Sequence, residues 1–153
     1  MSRFPIMVIS TALFLAAGCQ APADDGPDLE FLHMPGTENI GLPFSSAVRA
    51  DNMIYLSGVI GTDPGGAMRP VEGGIQAETR RAMEIISEEL KTFGSSMDRI
   101  VKCTVFLADI DEWAAMNEVY VSFFDTPPAR SALGANGLAL NARIEIECIA
   151  VVN

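Results

Sequence analysis

Apolar positions change period along the chain, and each change of period separates strands from helices. Ser46-Ala47-Val48-Arg49-Ala50 and Met53 to Ile60 are two extended runs around Asp51-Asn52. Those two turn residues tolerate left-handed backbone angles, so the runs predict a hairpin. Thr62-Asp63-Pro64-Gly65-Gly66 reads as a loop. From Ile75 to Phe93 the spacing becomes helical: Ile75, Thr79, Ala82, Met83, Ile86, Leu90 and Phe93 form one stripe, with Arg80, Arg81, Glu84, Glu88 and Lys91 elsewhere. Gly94 is placed to cap that helix. Ile100 to Leu107 is a β-branched and aromatic run, the mark of a buried strand. Asp109 followed by Glu112 has the layout of a capping box for a second helix, with Trp113, Met116, Asn117, Tyr120 and Phe124 on one face. An asparagine on an apolar stripe needs a partner, structural or ligand. Thr126-Pro127-Pro128 stops the helix. A short strand, a loop at Gly134-Ala135-Asn136-Gly137 and a final strand follow, in which Ile144, Ile146, Cys148, Ala150 and Val152 alternate with Arg143, Glu145 and Glu147. The order β-β-α-β-α-β-β predicts an α+β fold, a mixed sheet with two helices on one face. The other face of such a sheet needs a cover, which points to an oligomer.

The first residues follow another pattern. Arg3 precedes a run from Ile6 to Ala17 that is apolar apart from Ser10 and Thr11, and the composition turns polar after Gly18-Cys19. The run is short for a membrane span and has the layout of a secretory signal. Leu15-Ala16-Ala17-Gly18-Cys19 resembles a bacterial lipobox, with Leu15 one step earlier than usual. It predicts lipidation at Cys19, and Gln20 after it favours the outer membrane. The expected division is a signal peptide at residues 1–18, a flexible tether and N-terminal extension at 19–39, and one domain at 40–153, anchored on the periplasmic side of a bacterial membrane.

Cleavage would remove Arg3, leaving nine basic against twenty acidic side chains, a formal charge of −11. Such a surface repels phosphate backbones and disfavours nucleic acid as a partner. Cys103 and Cys148 sit inside apolar strand patterns and read as two free buried thiols, although an oxidising compartment would permit a bridge. His33 is the single histidine and reads as solvated, so no metal site is expected. The glycine pairs at 65–66 and 73–74 are turns rather than phosphate-binding loops.

The chemistry concentrates near the C-terminus. Arg130 stands at the start of one strand and Glu145 on the next, which suggests that the two come close. A guanidinium can grip a carboxylate through two parallel hydrogen bonds, and a glutamate can orient or deprotonate water. The alternative is a structural ion pair from Arg130 to Glu145 or Glu147.

Pro128-Ala129-Arg130-Ser131 followed by Ile144-Glu145-Ile146-Glu147 resembles the C-terminal signature of the RidA (YjgF) family of imine/enamine deaminases. Asn117-Glu118-Val119-Tyr120, Val101 to Leu107, Gly73-Gly74-Ile75, Leu56-Ser57-Gly58 and Pro43-Phe44-Ser45 extend the likeness over about residues 40 to 152. The resemblance implies a chorismate-mutase-like fold, a homotrimer with clefts between subunits, and no cofactor. It implies Arg130 as the carboxylate clamp, Glu145 as the catalytic glutamate, and Ser57, Gly58 and Asn117 as substrate or water contacts. Phe44 stands where the family commonly has tyrosine and Ala132 where many members have cysteine. The loop from Gly134 to Asn141 lacks the usual arginine-leucine-proline, so the pocket should be drier. The implied activity is hydrolysis of small 2-imino or 2-enamino acids to 2-oxo acids and ammonia. A non-catalytic trimer binding a small carboxylate and a surface-anchored holdase are the other classes the residues allow.

Overall fold

The computed structural model describes residues 26–37, 40–66 and 68–152. The signal-like run and Cys19 lie outside the described residues. The elements are β1 (Leu29–Leu32), β2 (Ala47–Ala50), β3 (Met53–Leu56), β4 (Val59–Ile60), α1 (Gly74–Thr92), β5 (Ile100–Leu107), α2 (Trp113–Tyr120), β6 (Ala129–Gly134) and β7 (Ile144–Val151). They form a mixed sheet in the order β1-β2-β3-β7-β5-β6, with β4 also on β7. The β5–β6 pair is parallel and the others are antiparallel.

The α+β architecture follows the periodicity, with two strands more than expected. Residues 29–32 form β1 along β2, so part of the stretch read as a flexible tether and N-terminal extension is an edge strand. The run Met53 to Ile60 is also not continuous. Tyr55 faces Ile149 but Val59 faces Ile146, so four steps on one strand match three on the other. One extra residue makes a bulge at Ser57-Gly58 and divides β3 from β4. Ser57 is held there by its N–H to the Ser46 carbonyl at 2.9 Å and its hydroxyl to the Ser45 carbonyl at 2.7 Å.

β7 lies at the centre because alternate residues suit it to a half-covered sheet. Ile144, Ile146, Cys148 and Ala150 are buried beneath the helices, with Ile54, Leu56, Val105 and Leu107 on neighbouring strands. Ala82, Met83, Ile86 and Leu90 of α1 and Met116 and Tyr120 of α2 close that layer. Each large aliphatic buried in this way stabilises the fold by roughly 1.5–3 kcal/mol. Gly61 lets α1 approach, since a β-carbon there would strike the Glu78 carbonyl. Glu78 itself is buried and accepts the Arg143 N–H at 2.8 Å, tying α1 to the start of β7. Burial raises its pKa.

Two local expectations need correction. Asp109 does accept an N–H, from Asp111 at 3.0 Å, but Glu112 pairs with the Arg143 side chain instead of closing a capping box. A 3-10 turn at Ile110–Glu112 therefore precedes α2. Cys103 and Cys148 are also not free thiols. They face each other directly across β5 and β7, with α-carbons 4.1 Å apart, and form a disulfide. The hairpin turn holds, with Asp51 at φ 51°, and Gly94 follows α1 at φ 81°.

Among the described residues, no helix packs on the sheet face away from α1 and α2, which is open. The register puts Phe31, Val48, Tyr55 and Ile149 in one row across it, and Glu145, Phe106 and Leu133 in another. Tyr55 and Leu133 are 45% and 43% exposed on this face.

Candidate active site

The predicted residues fall into two groups on opposite faces of the sheet. Arg130 lies on β6 opposite Cys103, itself opposite Cys148, so strand alternation gives it the helix-covered side. Its guanidinium is half-buried against α2, with Nη1 donating to Asn117 Oδ1 at 2.6 Å. That is the partner that an asparagine on the apolar stripe requires. The guanidinium carbon sits 4.7 Å from the centre of the Tyr120 ring and 5.7 Å from that of Trp113. Burial pushes the Tyr120 phenol up, with Arg130 pulling the other way. Ala132, opposite Val105, shares this face two residues along.

Glu145 is flanked by buried Ile144 and Ile146, so it takes the open face. Gly58 lies directly against its carboxylate: a β-carbon on Gly58 would collide with Oε1. Ser57 adjoins, its hydroxyl fastening the segment that carries Phe44. Phe44 is 52% exposed. Glu147, two residues along the same face, is exposed.

The expectation that arginine and glutamate meet within one chain is therefore corrected. Arg130 is level with Cys148, which lies three residues beyond Glu145 on β7, and β6 is two strands from β7. Strand geometry separates their α-carbons by roughly 14 Å, on opposite sides of the sheet. The structural ion pair is absent as well: among the described residues neither side chain forms a salt bridge. The chain instead presents two half-sites, a cationic one at the β6 edge and an acidic one on the open face.

Trp113 and Tyr120 lie on the face of α2 that the sequence predicts, but are not among the predicted site residues. Their spacing from Asn117, four residues before and three after, carried that information, since such positions share one helical face. Two concave surfaces of the isolated chain lie elsewhere. One, of about 460 Å³, is lined by residues that include Met97, Asp98, Phe123 and Asp125, and another, of about 450 Å³, by residues that include Gln76, Arg80 and Glu118. Neither contains a predicted site residue. Among the described residues no cluster of three or more histidine, cysteine, aspartate or glutamate side chains could hold a metal, and no helix is long and apolar enough to cross a membrane.

Residues 38–152 match the family model described as Endoribonuclease L-PSP. The goat (Capra hircus) protein named 2-iminobutanoate/2-iminopropanoate deaminase is 43% identical over 110 residues, 71% of this chain and 80% of that protein. The Arabidopsis thaliana protein named Reactive Intermediate Deaminase A, chloroplastic, is 39% identical over 72% of this chain; the match spans only 59% of the plant protein's length. Among solved structures, yeast YEO7 superimposes with a TM-score of 0.75 at 34% identity, covering 82% of this chain and all of that one. Escherichia coli TdcF with bound serine gives a TM-score of 0.67 at 33% identity over 73% of this chain and 90% of that one. With the family model matched over nearly the whole described chain, the fold shared and the Arg130 and Glu145 motifs in place, the chain belongs to the RidA/YjgF (L-PSP) family.

Proposed function

We propose that this protein is a hydrolytic deaminase of small 2-imino and 2-enamino acids, acting as a homotrimer whose sites lie between subunits. The observation that carries the reading is Arg130. Among the described residues Arg49, Arg69, Arg81 and Arg143 each pair with a carboxylate and Arg80 and Arg99 are exposed, whereas Arg130 is half-buried, held by neutral groups, and keeps a charge for an anionic ligand. The deaminase named above for the goat protein, 43% identical, supports the same activity.

Arg130 grips the substrate carboxylate bidentately and so fixes C2. Glu145 orients a water and accepts its proton as the oxygen bonds to C2 of the protonated imine. Protonated Glu145 returns its proton to the carbinolamine nitrogen and then takes the hydroxyl proton as the C–O double bond forms and the C–N bond breaks, so that a 2-oxo acid and ammonia leave and the last proton passes to solvent. An enamine first takes a proton at C3 to become the imine. Ser57 and Asn117 support the water and the guanidinium, Gly58 gives Glu145 room, and Phe44 and Ala132 leave the pocket less polar than tyrosine and cysteine would. None of these steps calls for a cofactor. Because the two half-sites occupy opposite faces, a second copy brings Glu145 to Arg130, with the open sheet face as the surface that the copies share. The formal charge of −10 argues against the ribonuclease activity in the family's description.

The lipobox-like segment ending at Cys19 supports export and lipid anchoring on the periplasmic side. The Cys103–Cys148 disulfide suits such an oxidising compartment. Fractionation of cells expressing wild type and Cys19→Ser tests this: the anchor requires that only wild type sediment with membranes.

The activity is tested by ammonia release from freshly generated 2-iminopropanoate. Acceleration by wild type that is lost in Arg130→Ala is the expected result. Equal rates in both proteins and in buffer would overturn the enzyme in favour of a carboxylate-binding trimer, and suppression of client aggregation irrespective of Arg130 would favour a holdase.

A further inference from the structure

Trp113 and Tyr120 are not among the site residues predicted from the sequence, yet both rings lie beside Arg130 together with Asn117. We propose that these two rings are positioning residues, an aromatic shelf that fixes the Arg130 guanidinium without neutralising it. The inference rests on the reading of Arg130 as the carboxylate clamp.

Three features of the geometry carry it. First, α2 presents Trp113, Asn117 and Tyr120 on one face, and all three meet the same side chain arriving from β6. Second, among the described residues Arg130 forms no salt bridge, and its hydrogen bond and ring contacts are with neutral groups: one amide oxygen at 2.6 Å and two π faces, at 4.7 and 5.7 Å. A carboxylate in the same place would hold the arginine as firmly and compete with the substrate for it. A ring quadrupole attracts the cation and leaves its remaining N–H groups unspent. Third, the Tyr120 hydroxyl is buried with no hydrogen-bond partner among the described residues. The ring, rather than the phenol, is therefore what this position contributes to the arginine.

The shelf acts before substrate arrives. A free arginine explores many rotamers and loses that freedom on binding. Stacked on Tyr120 and flanked by Trp113, Arg130 is already ordered, so its loss should appear in substrate affinity rather than in chemistry. Trp113 is 44% exposed, and replacing it leaves the buried layer intact.

The test uses the full-length protein with Trp113→Leu, Trp113→Phe and Tyr120→Phe. In the ligand-free protein, NMR of the Arg130 Nε–H should show hindered guanidinium rotation in wild type and faster rotation in Trp113→Leu. With 2-iminobutanoate, Trp113→Leu should raise KM roughly two- to thirtyfold and leave kcat within about twofold. Trp113→Phe should recover most of that loss, and Tyr120→Phe should match wild type. Trp113 is the chain's single tryptophan, so 2-oxobutanoate should also change the intrinsic fluorescence, and fail to do so in Arg130→Ala. Equal Nε–H dynamics in wild type and Trp113→Leu would overturn the shelf, as would a joint fall in kcat and thermal stability at constant KM. A wild type that releases no ammonia overturns the deaminase reading instead, and the Nε–H comparison still decides the shelf.

Discussion

Gly58 and Glu145 show how a single missing atom shapes the acidic half-site. A β-carbon on Gly58 would overlap the Glu145 carboxylate, the far end of a side chain that can swing aside. Gly58→Ala is therefore expected to leave the melting temperature within a few degrees, because no backbone has to move. The carboxylate would be displaced by about an ångström, and misplacements of that size cost roughly a hundredfold in rate. Steady-state kinetics beside a thermal melt checks the pair of outcomes; a stable Gly58→Ala protein with full kcat would remove Glu145 from the chemistry. At this scale the residue types were legible in the sequence and their company was not. Arg130, Asn117, Glu145 and Ser57 stood out by their motifs, whereas the rings around Arg130 depend on how α2 packs on β6.

The elements carry two stability predictions. Glu89 occupies the buried stripe of α1, with Oε2 unpartnered among the described residues, and burial, reinforced by nearby Glu88, pushes its pKa from 4.5 up to about 7. The folded state therefore holds this proton more tightly than the unfolded chain does. The associated stability is present in full below the unfolded value of 4.5 and is lost as pH rises to about 7. The loss is about 3 kcal/mol. Glu89→Gln should remove that dependence and be the more stable protein at pH 8, as urea unfolding across the range would show. The disulfide is the second case. It closes a separation of 45 residues between β5 and β7, so replacing both cysteines by alanine should lower stability by roughly 2–4 kcal/mol. Equal unfolding midpoints for this variant and the oxidised wild type would contradict it. Hydrophobic period disclosed α1, β5 and β7 because a long alternation states which face is buried. It could not disclose which strands are neighbours. Cys103 and Cys148 meet only because β7 lies between β3 and β5, and β1 carries too short a pattern to stand out from a polar extension.

At the scale of the whole molecule, the separation of the half-sites decides what an assembly must do. If Arg130 of one copy works with Glu145 of the next, each site of a closed ring draws on two chains. Arg130→Ala and Glu145→Gln should each be inactive alone. Mixed after dissociation and reassembly, they should regain activity, because a site formed between an intact Arg130 from one variant and an intact Glu145 from the other lacks nothing. With random exchange of equal amounts, about one site in four combines the two intact residues, so roughly a quarter of wild-type activity is expected. Within one chain no such rescue is possible, since every chain in the mixture is missing one of the pair. Tyr55→Asp places a charge in the middle of the open apolar row and should prevent assembly, abolishing both wild-type activity and the rescue, with sedimentation reporting the monomer. Activity that persists in such a monomer, or a mixture as inactive as its components, would mean that Arg130 and Glu145 do not act across a shared interface.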